Sequence, residues 1–129
     1  MMTGYENGKI GEGYAKNFLE HIYDKVIFLD NIIDFECIKN DRYKDVIEYT
    51  YYEIKTCQKA VVEDNNLVSG RFKLHKDQDT YLKNVEGFYM FIILNNKKLM
   101  SLNIVKAKKL IFLTDTKSIK INTVLEVNK

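Results

Sequence analysis

The sequence predicts an α/β protein with a mixed central β-sheet flanked by helices, folded as one domain over residues 1–129. Three observations carry that prediction. Apolar residues near the N-terminus recur at helical spacing. Runs of β-branched and aromatic residues then follow one another through the middle of the chain. Finally, a polar helical segment precedes "FYMFIIL", which is apolar on both faces, as an interior strand is.

From about Ile10 to Tyr23, Ala15, Leu19 and Ile22 fall on one helical stripe, with Phe18 beside it. "VIFLD", Val26 to Asp30, reads as a short buried strand. "NIIDFECIK" reads as a second strand, closed by a turn at "NDR". "DVIEYTYYEIKTC" is the third and strongest strand. "VEDNNLVSG" reads as a loop and "RFKL" as a short extended piece. "HKDQDTYLKNVEG" reads as a helix with Gly87 as its cap. After Phe88 to Leu94, "NN" turns the chain and "KLMSLN" returns it. "IVKAKKLIF" suits a short helix and "SIKINTVLEV" a last strand.

Composition excludes more than it identifies. With 46% hydrophobic and 29% charged residues, the expectation is a soluble globular domain. The longest apolar run, Phe88 to Leu94, is far shorter than the roughly 20 residues that span a bilayer. "MMTGYENGKIGEG" lacks the basic-then-apolar order of a signal peptide. Two cysteines and two histidines give neither a disulfide framework nor a zinc spacing, so a reducing cytoplasm is the expected location. A net charge of +2 provides no overall basic field for nucleic acid. There is no Gly-rich phosphate loop and no nucleophile elbow on which to base small-molecule chemistry. No repeat or linker divides the chain.

Four residues stand out chemically. Glu12 heads the stripe that continues through Ala15 and Leu19, where a carboxylate is costly unless paired. The alternative is a first-turn Glu complementing the helix dipole. Asp34 interrupts the second strand between Ile33 and Phe35, and Asp is disfavoured inside strands. Alternation puts it with Ile32, Glu36 and Ile38, opposite Ile33, Phe35 and Cys37. Glu53 and Lys55 are two residues apart in the third strand and so share a face. An isolated Glu-x-Lys is common and by itself reads as a solvated pair. Tyr49, Tyr51 and Tyr52 read as packing residues, and Cys57 has no histidine to activate it.

Taken in order, "GKIGEGYAKNFL" with Glu12, "NIIDFECI" with Asp34 and "YYEIKTCQ" with Glu53 and Lys55 resemble the PD-(D/E)xK nuclease superfamily. Length and layout are most similar to small archaeal Holliday-junction resolvases and related minimal endonucleases. The resemblance covers most of the chain. One departure is Ile33, where the family frequently has Pro before its Asp; this leaves Asp45 as a rival for the motif aspartate. Asp34 is preferred because its flanks read as strand.

The resemblance implies a restriction-endonuclease-like fold and divalent-metal-dependent hydrolysis of DNA phosphodiesters, with a Holliday junction as one substrate. Asp34 and Glu53 would hold Mg²⁺ or Mn²⁺, joined by the main-chain carbonyl of Ile54 and by Glu12, directly or through water. Such ions take few protein carboxylates and keep several waters. Lys55 would orient or help deprotonate the attacking water, or stabilise the developing oxyanion. Arg71 and Lys73 are candidates for phosphate contacts, and Gln58 is a weaker one. The implied partners are branched or duplex DNA and a second copy of the chain in a homodimer, with no membrane. The competing reading is a catalytically inactive nuclease-like module that binds DNA or a protein.

Overall fold

Ala15 and Leu19 are both fully buried, along with Gly11, so helix α1 (Gly4–Glu20) presents one narrow stripe to the rest of the protein. The structure is a computed structural model that describes residues 4–111 and 116–127, the side chains of Val62 and Glu63 excepted. The helix begins earlier than the apolar spacing suggests. It ends before Ile22, which is exposed, as is Phe18. No described helix is long and apolar enough to cross a membrane.

After α1 come β1 (Lys25–Phe28), β2 (Phe35–Asp41), β3 (Val46–Gln58), and a hairpin of β4 (Ala60–Glu63) and β5 (Asn66–Ser69). Next are β6 (Arg71–His75), α2 (Lys76–Asn84), β7 (Phe88–Asn95), β8 (Lys98–Lys106), β9 (Thr116–Lys120) and α3 (Ile121–Val127). Five strands form a mixed sheet in the order β1-β2-β3-β7-β8. All neighbours are antiparallel except β3 and β7, which run parallel. Among the described residues the fold is therefore mixed α/β, with a five-stranded central sheet and three α-helices.

β7 lies inside the sheet and is buried on both faces, as its composition requires. Met90, Ile92 and Leu94 face α1 with Phe35, Cys37, Tyr52 and Ile54. Tyr89, Phe91 and Ile93 face the opposite layer, where Phe72, Leu74, Leu82, Ile119 and Val124 from β6, α2, β9 and α3 complete the core.

Several local expectations are corrected. β1 is a half-exposed edge strand, not a buried one. The second strand starts at Phe35, because Asn31–Asp34 form a bend in which Asn31 Oδ1 accepts the Ile33 N–H at 3.3 Å. "VEDNNLVSG" is mostly a hairpin, turned by Asp64 and Asn65, both at positive φ, as a two-residue turn of twisted strands requires. "IVK" belongs to β8, leaving only a single 3-10 turn at Ala107–Lys109; Phe112 lies outside the described residues. The last strand stops at Lys120 and gives way to α3, with Val124 buried. At the end of α2 the left-handed residue is Glu86, not Gly87; the Glu86 and Gly87 N–H groups close onto the carbonyls of Lys83 and Leu82.

Gly11 sets how closely α1 approaches the sheet, since a Cβ there would sit 1.8 Å from Thr56 Oγ1. Gly11→Ala is expected to lower stability by about 1–3 kcal/mol through overpacking, read as a lower urea midpoint. Gly13→Ala, whose Cβ meets nothing within 4 Å, is the control and does not destabilise.

Candidate active site

β3 changes partners halfway along its length. Val46–Tyr52 pair with Asp41–Phe35 of β2, whereas Tyr52–Gln58 pair with Phe88–Leu94 of β7. Beyond Tyr52, β2 no longer accompanies the strand, and a notch opens beside Glu53. Asp34, the residue just before β2, fills it. Its Oδ2 accepts the Ile54 N–H at 2.9 Å, taking over where the ladder ends. This explains an Asp between two apolar residues: its carboxylate serves the backbone at the fork.

Glu53 faces Asp34 across the notch and is only 3% exposed. The two carboxyls lie within hydrogen-bonding reach of each other. Lys55 Nζ stands 3.2 Å from Glu53 Oε2 and donates to Gln78 Oε1 at 2.8 Å. Burial pushes the Glu53 carboxyl up to about 8. The Asp34 charge adds to that rise, and Lys55 offsets part of it. Glu53 Oε1 is buried and has no hydrogen-bond partner.

Glu12 reaches the same region from the α1 side, lining with Asp34 a cavity of about 320 Å³. Its pKa is raised, first by partial burial and then by the Asp34 charge, while Lys9 at 3.9 Å opposes the rise. Of the sequence-selected residues, Asp34, Glu53 and Lys55 thus meet beside the start of β2, while Glu12 shares a cavity with Asp34 and not with Glu53 or Lys55. Asp45 lies away from them: it occupies the exposed β2–β3 turn with φ 52°, eight residues before Glu53, or roughly 26 Å along an extended chain.

Among the described residues, no group of three or more His, Cys, Asp and Glu is close enough to hold a metal ion. The donors at the notch nevertheless fit a hard divalent cation. Two adjacent carboxylates that repel when ionised, one with an orphaned buried oxygen, are what such an ion neutralises, and Mg²⁺ is commonly held by one or two carboxylates plus water.

Gln58 lies elsewhere. Its amide donates to Asn7 Oδ1 and the Asn96 carbonyl and accepts the Asn96 N–H, all at 2.9 Å, tying β3 to α1 and to the β7–β8 turn. Arg71, Lys73 and His75 alternate with buried Phe72 and Leu74 on β6, so the three polar residues share an exposed face. Gly70 is buried, not a flexible joint: a Cβ there would meet the Gln58 carbonyl oxygen at 1.9 Å. Cys57 is buried, with its thiol pushed up to about 12, which makes it inert as a nucleophile.

Two contributions escaped the sequence reading. Gln78 holds Lys55, yet a polar residue in the first turn of a helix resembles any solvated one. Asp79 is buried, accepts the Tyr89 hydroxyl at 2.8 Å and pairs with Lys83, which also donates to the Leu110 carbonyl. Its spacing to Leu82 on a helical stripe is the same kind of clue that singled out Glu12. This network fixes α2, and with it Gln78, against β7. No protein-family model matches the chain, and comparison with curated proteins and with solved structures finds no match.

Proposed function

We propose that the protein is a divalent-cation-dependent endonuclease that hydrolyses DNA phosphodiester bonds, with a restriction-endonuclease-like fold and four-way junctions as its first candidate substrate. The observation that carries this reading is the meeting of Asp34, Glu53 and Lys55 where β3 exchanges partners, with a buried Glu53 oxygen left unpaired. Further support comes from the order of elements: a helix with Glu12, an Asp at the head of one strand, and Glu-x-Lys on its neighbour.

Bound Mg²⁺ or Mn²⁺ supplies charge stabilisation at the phosphate oxygens and makes bound water more acidic. Asp34 and Glu53 would hold the ion, the Ile54 carbonyl is close by in the chain, and Glu12 reaches the site from α1. The Lys55 ammonium has three protons. With Glu53 and Gln78 engaging two of them, the third is available to a water or to a non-bridging phosphate oxygen, where it orients the nucleophile or stabilises developing charge. Arg71 and Lys73 offer phosphate contacts, and a C2 homodimer would allow one site per strand to cut both strands. Both cysteines are free and buried, which fits the cytoplasm.

The test is a substrate panel of four-way junction, flap, duplex and single-stranded DNA incubated with Mg²⁺ or Mn²⁺. Cleavage in the presence of either ion, absent in EDTA, is the expected result. DNA binding without cleavage of any member would favour the inactive-module reading instead. Gln78→Ala is expected to slow cleavage about tenfold, equivalent to about 1.4 kcal/mol of barrier, with binding little changed, because Lys55 then loses one of its two anchors.

A further inference from the structure

β6 and β9 pair with Arg71 opposite Lys120, Lys73 opposite Ser118 and His75 opposite Thr116. Residues in register share a face of a ribbon. Phe72, Leu74 and Ile119 are buried on one face, which leaves Arg71, Lys73, Lys120 and Ser118 exposed on the other. Arg71 and Lys120 thus stand directly opposite one another, an arrangement that like charges disfavour. Lys59 joins them around a cavity of about 910 Å³ whose lining contains no Asp or Glu. Among the described residues, no ion pair engages any of these four cations.

The ribbon also has a direction. Gly70, at its start, packs on the Gln58 carbonyl at the far end of β3. His75, at its other end, runs directly into α2, whose Gln78 Oε1 accepts a hydrogen bond from Lys55 Nζ at 2.8 Å. The cations therefore lead from the end of β3 back towards the Asp34–Glu53 notch.

We infer that the exposed β6–β9 face is a phosphate track for one nucleic-acid strand, in which Lys59 and Lys120 act with Arg71 and Lys73 to one side of the catalytic notch. This rests on the nuclease reading and extends it to residues of the C-terminal strand. Arg71 and His75 are four residues apart, about 13 Å along a strand. At about 3.4 Å per nucleotide of B-form rise, the Arg71–Lys120 pair meets the backbone roughly four nucleotides beyond the His75 end of the ribbon. The cavity also has apolar walls, including Leu67, Met100 and Leu125, so an acidic amphipathic peptide is the competing occupant. Continuity of the cations with Lys55 favours the nucleic acid.

The test is equilibrium binding to a 30-base-pair duplex in EDTA, by fluorescence anisotropy across a salt series, in a Glu53→Gln background that prevents cleavage. Lys120→Ala should reduce the log–log salt slope by about 1, and Arg71→Ala/Lys120→Ala by about 2, while Lys39→Ala on exposed β2 leaves it unchanged. Slopes equal to that of the parent protein would overturn the track. So would a double variant that loses binding to polyglutamate while keeping its slope on DNA. In the active protein, cleavage should favour substrates extending at least six nucleotides past the cut over those with two, and that preference should shrink in the double variant. A protein that cleaves nothing yet shows both slope losses keeps the track and loses the hydrolase. One that cleaves normally with unchanged slopes does the reverse.

Discussion

Replacing Lys55 with alanine is expected to reduce Mg²⁺-dependent DNA cleavage by about 10²- to 10⁴-fold, while DNA affinity in EDTA changes little. The basis is position. Lys55 is held at 3.2 Å from Glu53 and 2.8 Å from Gln78, so its charge lies beside the carboxylates that would hold the ion. It is also largely shielded from water, and electrostatic interactions in such a site are stronger than on the surface. Lys55→Arg is not a rescue, because a planar guanidinium cannot occupy the same point between those two partners. Single-turnover cleavage together with a binding isotherm separates the two quantities. Full cleavage by Lys55→Ala would remove this residue from the mechanism.

The second large effect is on stability. In the unfolded chain Glu53 ionises near its ordinary value of 4.5, and in the folded protein near 8. Between those values the folded state keeps a proton that the unfolded state has released. Stability is therefore fully present below about pH 4.5 and falls as the pH rises through about 8. The loss is of the order of a few kcal/mol over that window. Denaturant titrations in EDTA at pH 5 and pH 8 should reveal it, and Glu53→Gln should flatten the difference. Mg²⁺ or Mn²⁺ at pH 8 should restore much of the lost stability, because an ion bound only by the folded state favours it. An identical pH dependence in wild type and Glu53→Gln would contradict the burial that underlies the site.

Much of this was visible in the residues themselves. β3 was legible because Val46–Gln58 is rich in β-branched and aromatic side chains, and β7 because no polar residue interrupts Phe88–Leu94. Asp34 was legible because Asp is disfavoured inside strands, and Glu53 because it shares one face of the strongest strand with Lys55. The β4–β5 hairpin was not, since its turn uses Asp64 and Asn65 in place of the glycine-containing pairs that announce such turns. α3 was missed because "INTVLEV" is β-branched, and only packing of Val124 against the sheet layer decides in favour of helix. The partner exchange of β3 at Tyr52 has no local signature at all. It arises from where β2 begins and β7 returns, both long-range outcomes of packing.

The most direct measurement is a Mn²⁺ titration of the protein without DNA, followed by isothermal calorimetry or by the electron paramagnetic resonance of the free ion. Saturable binding that is lost in both Asp34→Asn and Glu53→Gln, and retained in Asp45→Asn, is the predicted result. Binding unaffected by Asp34→Asn and Glu53→Gln, or no binding to the wild-type protein, would mean that the carboxyl pair serves the fold and not an ion.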